Sequence, residues 1–183
     1  VNPSLTVTDI TPSSGFTSGS LSGALNTGFG GGFYGLTNYG RAPSNSGVYA
    51  EATTWALDTW GEYLLAVSST DGKLLEWQGN VNANAATVAN APTGNNSMVV
   101  TEERFVFCLG AGGNPRKVAW SDKENNTVWN ATATNEAGDM ELQTTGQIMC
   151  GVRMRGATLI LTDTDAHLAT YSGAPFVYGF QRV

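Results

Sequence analysis

The side chains best suited to chemistry lie close together late in the chain. Asp163, Asp165 and His167 alternate, so on an extended segment they share one face. Two carboxylates and an imidazole on one face could ligate a metal. The same three residues lie in a short polar stretch between two apolar runs, where Asp and Thr commonly bond the backbone of a tight turn. His167 is the only histidine and the two cysteines are far from it in sequence, so neither a zinc site nor a histidine-based triad is expected. Glu102 and Glu103 are adjacent carboxylates of the kind a glycosidase pairs across a sugar. They fall at a bend between apolar runs, where neighbouring side chains diverge, and a solvated turn is the expected reading. Asp122, Glu124, Glu136, Asp139 and Glu141 are loop acids without a partner at a useful spacing. No base or nucleophile stands out, so the chain reads as a non-enzyme with no cofactor.

The elements that must hold these residues form a repeat. Residues 53–79 contain a strand ahead of Gly61, an apolar strand Tyr63–Ser68, a turn Ser69–Lys73 and a return strand Leu74–Trp77. Residues 97–122 place Met98–Val100, Arg104–Leu109 and Lys117–Trp120 in the same three positions, with GAGGNP as the turn. Residues 147–173 do so with Ile148–Met154, Thr158–Thr162 and His167–Tyr171, and with Asp163–Asp165 in the turn. In each copy an apolar central strand leads to a strand ending in an aromatic residue, Trp77, Trp120 or Tyr171. A small or polar pair follows, as in Ser121-Asp122.

Trp60, within the first copy, and Trp129, in the connection after the second, are further residues of the structural motif. The copies begin about 44 and then about 50 residues apart, near the period of β-propeller blades, whose four-stranded sheets stack around an axis. Continuous apolar runs suit strands buried on both faces. The reading is therefore all-β, a propeller-like array of antiparallel blades, with a stacked β-sandwich as the alternative. A fourth strand could lie at Met140–Leu142 and another at the alternating end PFVYGFQRV. The connection Asn80–Asn96 is a strand or loop.

Residues 1–47 form a separate region. A weakly alternating strand over residues 1 to about 12 gives way to a Gly, Ser, Asn and aromatic stretch in which Phe29, Phe33, Tyr34 and Tyr39 are set among glycines. An ordered loop clamped on the body or on a neighbouring subunit fits the aromatics, and a flexible linker is the other reading. Residues 48–183 hold the three repeats. The abrupt ends predict a piece of a longer chain.

Composition narrows the classes further. Charged residues make up 13% of the chain, roughly half the usual share, which suits a turn-rich β-protein. The formal net charge is -6 and the nine basic residues are scattered, so tight phosphate binding by clustered Lys and Arg is not expected. An acidic wall past which nucleic acid slides is compatible with this charge. No apolar run approaches the roughly 18 to 20 residues of a membrane span. Cys108 and Cys150 each sit in an apolar run and read as buried thiols, with pairing possible only between adjacent strands. Three glycosylation sequons, at Asn95, Asn125 and Asn130, are expected by chance in an Asn- and Thr-rich chain.

Ser121-Asp122 through Trp129 partly resembles the Asp-box of sialidase-type propellers. It lacks the glycine of that motif, and its Trp falls one position late. A broader resemblance rests on GFGGGFYGLTNYG (residues 28–40), TTWALDTWGEYLLA (53–66), VAWSD (118–122), ATNEAGD (133–139), RGATLILTDT (155–164) and TYSGAPFVYGFQRV (170–183). In this order they resemble the tail-nozzle, or packaged-DNA-stabilisation, structural proteins of short-tailed bacteriophages. The resemblance spans most of Leu25 to Val183. It implies a propeller-bearing subunit of the virion tail, assembled in the host cytoplasm. Its partners would be copies of itself in a ring, commonly a hexamer, and other tail proteins. Genomic DNA would pass through the lumen without specific binding. The chain is shorter than that family at both ends, which leaves tube-forming parts and further blades unaccounted for. A carbohydrate-binding propeller or host-receptor adhesin is the alternative, motivated by Trp129, Tyr34 and Tyr39.

Overall fold

A computed structural model describes residues 53–183, which form one compact unit. The strand expected near residues 1–12 and the aromatic loop carrying Phe29, Phe33, Tyr34 and Tyr39 lie outside the described residues. The twelve strands of the described residues belong to three four-stranded antiparallel sheets, each a meander in chain order. The first sheet holds β1 (Trp55–Trp60), β2 (Tyr63–Ser68), β3 (Leu74–Trp77) and β4 (Ala86–Thr87). The second holds β5 (Ser97–Val100), β6 (Val106–Leu109), β7 (Lys117–Trp120) and β8 (Gly138–Glu141). The third holds β9 (Ile148–Met154), β10 (Ala157–Thr162), β11 (Ala166–Gly173) and β12 (Val177–Arg182). Each sheet thus contains the three strands of one sequence repeat and gains a fourth from the segment that follows it. Among the described residues the only helical element is a 3-10 turn at Ala111–Gly113, and no helix is long and apolar enough to cross a membrane.

The sheets stack in sequence order, with β1 beside β5 and β5 beside β9. The second sheet is covered on both faces, which explains why its strands SMVV and VFCL read as unbroken apolar runs and are wholly buried. Met98, Val100, Val106 and Cys108 turn toward Trp60, Leu65, Val67 and Leu74 of the first sheet. Val99, Phe107, Leu109, Val118 and Trp120 turn the other way, onto Ile148, Ile160, Ala169 and Tyr178 of the third. This second core is aromatic. Tyr178 stands edge-on to Phe107 at 4.7 Å and to Phe105 at 5.2 Å between ring centres, the geometry favoured by ring quadrupoles.

Three details differ from the sequence reading. Arg104 is not part of the central strand of its repeat. It adopts φ 66° in the preceding turn and holds its guanidinium 5.1 Å from the Trp60 ring centre, a cation–π contact between the first and second sheets. Tyr171 does not end its strand, because β11 continues to Gly173 through a bulge. The three strand-end aromatics also do not share a face. Trp77 pairs across to Leu64 on the face of the first sheet turned away from the second, whereas Trp120 pairs with Phe107 toward the third. A one-residue register offset is enough to reverse a side chain's face.

Candidate functional site

The polar residues singled out by sequence lie mainly where the sheets lock together. Ser121 is fully buried. Its hydroxyl accepts from Val106 N–H at 3.0 Å and donates to Asp122 O at 3.0 Å. Asp122 accepts from Glu136 N–H at 2.8 Å. Trp120 Nε1 donates to Glu136 O at 2.9 Å, and the Tyr171 hydroxyl donates to the Glu136 carboxylate at 3.1 Å. Glu136, which sequence left as a loop acid without a partner, therefore joins the second sheet to β11 of the third. Burial, reinforced by the hydrogen bond to Glu136 and by its charge, raises the Tyr171 pKa above the ordinary phenol value. Tyr178 is raised too, chiefly by burial, and its hydroxyl sits 3.0 Å from the Thr101 hydroxyl and donates to Glu103 at 3.2 Å.

The acids expected to be solvated are likewise engaged. Glu102 accepts from Gly156 N–H at 2.6 Å, so each member of the Glu102-Glu103 pair touches the third sheet at a different place, and the two face no common sugar site. Asp163 and Asp165 separate as well. Asp163 accepts from Gln147 N–H at 2.9 Å and fixes its turn. Asp165 takes hydroxyl bonds from Thr162 at 2.6 Å and Thr144 at 2.9 Å, with His167 Nε2 at 3.2 Å and Arg182 Nε at 3.1 Å. These donors, Thr162 foremost, hold the Asp165 carboxyl below its usual pKa. Each oxygen already has protein partners. No group of three His, Cys, Asp or Glu able to hold a metal occurs among the described residues.

At the row formed by β1, β5 and β9, Asp58 accepts from Val100 N–H at 2.9 Å and lies 3.9 Å from the Arg153 guanidinium. One carboxylate thus bridges all three sheets. Cys108 faces the first sheet, where burial raises its thiol pKa, while Cys150 pairs with Leu161 on the far face of the third sheet. Both thiols are free, and the opposed faces rule out pairing within the chain.

No family model, curated protein or solved structure matches this chain.

Trp77 and Trp129 serve as loop anchors. Trp77 Nε1 bonds Asn80 O at 3.0 Å and Ala83 O at 3.2 Å. Trp129 Nε1 bonds Asn126 O at 2.7 Å, and only 9% of the residue is exposed. That burial argues against Trp129 as a free aromatic platform. One edge of it borders a cleft of about 240 Å³ lined also by Asn90, Lys117, Asn130 and Asp139. A second cleft, of about 210 Å³, lies where the β2–β3 loop meets the segments entering β5 and leaving β6. There Gly72 permits backbone contact that no side chain would allow, since a Cβ on it would lie 2.5 Å from Gly94 Cα. Asn95 Nδ2 donates to Gly72 O at 2.9 Å and to Pro92 O at 2.6 Å, which ties that crossing together. Sequence placed Asn95 in a chance sequon, but the residue is 1% exposed and structural.

The faces left over after stacking carry no charge. On the first sheet, Leu57, Leu64, Leu75 and Trp77 share the face turned away from the second sheet. On the third, Val152, Met154, Leu159, Leu161 and Leu168 share the corresponding face. Leu57 is 61% exposed and Val152 49%.

Proposed function

We propose that the chain is a virion structural protein, a subunit of the tail nozzle or tail tube of a short-tailed bacteriophage whose copies form a ring around the DNA exit channel, and that its three sheets are successive blades of a β-propeller. The observation that carries the blade reading is the stacking of three four-stranded meanders with their first strands, β1, β5 and β9, side by side. The tail reading rests on the ordered sequence resemblance. It is supported by the use of the polar side chains, which go into bonds between sheets rather than into a reactive constellation. The net charge of -6 suits a wall past which DNA moves without adhering. Other tail proteins and copies of the chain are the partners this role requires. Immunogold labelling of purified virions with antibodies to the chain tests the role. Label at the distal end of the tail is expected, and label absent from virions refutes it.

A second reading, a carbohydrate-binding propeller or adhesin, is favoured by the cleft beside Trp129, where two asparagines, a lysine and an aspartate surround an indole edge. A glycan array decides it. Binding abolished by Asn130→Ala supports an adhesin, and an empty array removes that reading.

A further inference from the structure

We propose that the cleft of about 210 Å³, where the β2–β3 loop meets the segments entering β5 and leaving β6, binds a small neutral polyol the size of one sugar ring. The inference does not rest on the tail role, and it concerns a different cleft and a different mode of recognition from the one beside Trp129. Its first support is an acceptor left over. Asn95 lines the cleft and is 1% exposed. Both hydrogens of its amide nitrogen are engaged, by Gly72 O at 2.9 Å and Pro92 O at 2.6 Å, which fixes which branch of the side chain is the oxygen. That oxygen, Oδ1, is buried out of reach of solvent and has no hydrogen-bond partner, alone among the buried side-chain oxygens and nitrogens of the described residues. Such an acceptor lowers stability until a donor meets it.

The second support is the chemistry of the walls. Ser69 and Thr70 bring hydroxyls, Asn96 and Gln147 bring amides, and no ionisable side chain lines the cleft. Hydroxyls and amides both donate and accept, as a polyol does. A charged ligand would instead enter without a counter-charge. Pro115 and Ile148 add apolar surface for the C–H groups of a ring. No aromatic side chain is present, so recognition here is by hydrogen bonds and not by stacking.

The third is size and give. At about 30 Å³ for each water the cleft has room for about seven, well below the roughly 300–1,000 Å³ of a site for larger ligands. One ring fits that room. Four of the lining positions are glycines, and two of them, Gly94 and Gly113, meet through a single backbone bond of 3.2 Å. Glycine backbone moves at little steric cost, so the lining can shift to bring a ligand hydroxyl onto Oδ1. A neutral ligand of about a dozen heavy atoms should bind with a Kd in roughly the millimolar range.

NMR titration of the isotope-labelled 183-residue chain with D-glucose, D-galactose, D-mannose and N-acetylglucosamine, each up to about 50 mM, tests the proposal. Saturable shifts of the Asn95, Asn96 and Gln147 side-chain amides are expected with at least one sugar. The Asn95 amide protons should move downfield, because a bond accepted by Oδ1 polarises the amide and strengthens the bonds that its nitrogen donates. Thr70→Val and Gln147→Ala alter exposed lining side chains, and the Thr70 hydroxyl bonds only that of Thr53. Both variants should therefore fold, which circular dichroism verifies, and each should weaken binding by about 2- to 10-fold, the worth of one hydrogen bond. Three results overturn the proposal: no saturable shift with any of the four sugars, shifts confined to residues around Trp129, or variants that both bind as the unaltered chain does. The second would favour the adhesin reading instead, and virion labelling is untouched by all three.

Discussion

Gly151 offers the sharpest test of how the second and third sheets meet. It pairs with Ile160 on the face of β9 that turns to the second sheet. A Cβ added there would lie 2.8 Å from Val99 Cγ1, 2.9 Å from Leu109 Cδ1 and 3.4 Å from Val99 Cβ. Val99 is stiff at χ1 and both neighbours are buried, so the sheets themselves must separate by several tenths of an ångström. Overpacking of this kind costs about 1–3 kcal/mol. The smaller unfolded-state entropy of alanine returns about 0.4–1 kcal/mol. Gly151→Ala should therefore destabilise by roughly 1–2 kcal/mol, and at about 3–4 °C per kcal/mol for a unit of this size the melting temperature should fall by roughly 3–8 °C. Gly179→Ala is the control, because its Cβ would meet only Thr170 Oγ1 at an ordinary 3.7 Å. It should stay within about 0.5 kcal/mol of the parent. Urea and thermal denaturation of both variants, with Val99→Ala added to complete a double-mutant cycle, make the comparison. The cycle should return a coupling of roughly 1 kcal/mol in the relieving direction. A Gly151→Ala variant as stable as Gly179→Ala, or a cycle with no coupling, would refute the close approach of β9 to β5 and β6.

Other outcomes follow from the same contacts. Tyr171→Phe should cost about 1 kcal/mol through its lost hydroxyl bond to Glu136. In alkaline absorbance titration, Glu136→Gln should lower the pH at which Tyr171 ionises, because part of its raised pKa comes from that carboxylate. Asp165 has a folded pKa below the ordinary 3.8, so its contribution to stability is complete above that value and is lost as pH falls through the folded one. Asp165→Asn should accordingly flatten the acid limb of a stability–pH profile measured by chemical denaturation. Thiol titration with an aromatic disulfide should reach Cys108, fully buried beneath the first sheet, only after unfolding.

Much of the fold is legible in the chain because burial leaves a pattern. Residues 97–100 and 106–109 read as continuous apolar runs since each strand is covered on both sides, and the turns at Ser69–Lys73 and Asp163–Asp165 are marked by polar residues that bond the backbone. Register is not legible in the same way. Trp77 and Trp120 occupy the same place in the repeat yet point to opposite faces, a difference set by one residue of offset that composition does not record. The locking contacts were hidden for a related reason. Glu136 meets Trp120, Asp122 and Tyr171 only once a long loop returns β8 beside β7, and all of its bonds are made by its own backbone or accepted from a hydroxyl, which no charge spacing reveals. Asn95 was hidden because its role depends on backbone crossings at Gly72 and Gly94. Arg104 looked like a strand residue because an apolar run follows it, but the turn before β6 requires positive φ there and frees its guanidinium for Trp60.

The central claim is that the three sheets are blades arranged around an axis. An electron cryo-microscopy reconstruction of the assembled protein, at a resolution that separates strands, tests it most directly. The account predicts β1, β5 and β9 side by side along a central channel, with another four-stranded antiparallel sheet against each outer face. Outer faces open to solvent in the assembly, or first strands pointing away from any common axis, would contradict it.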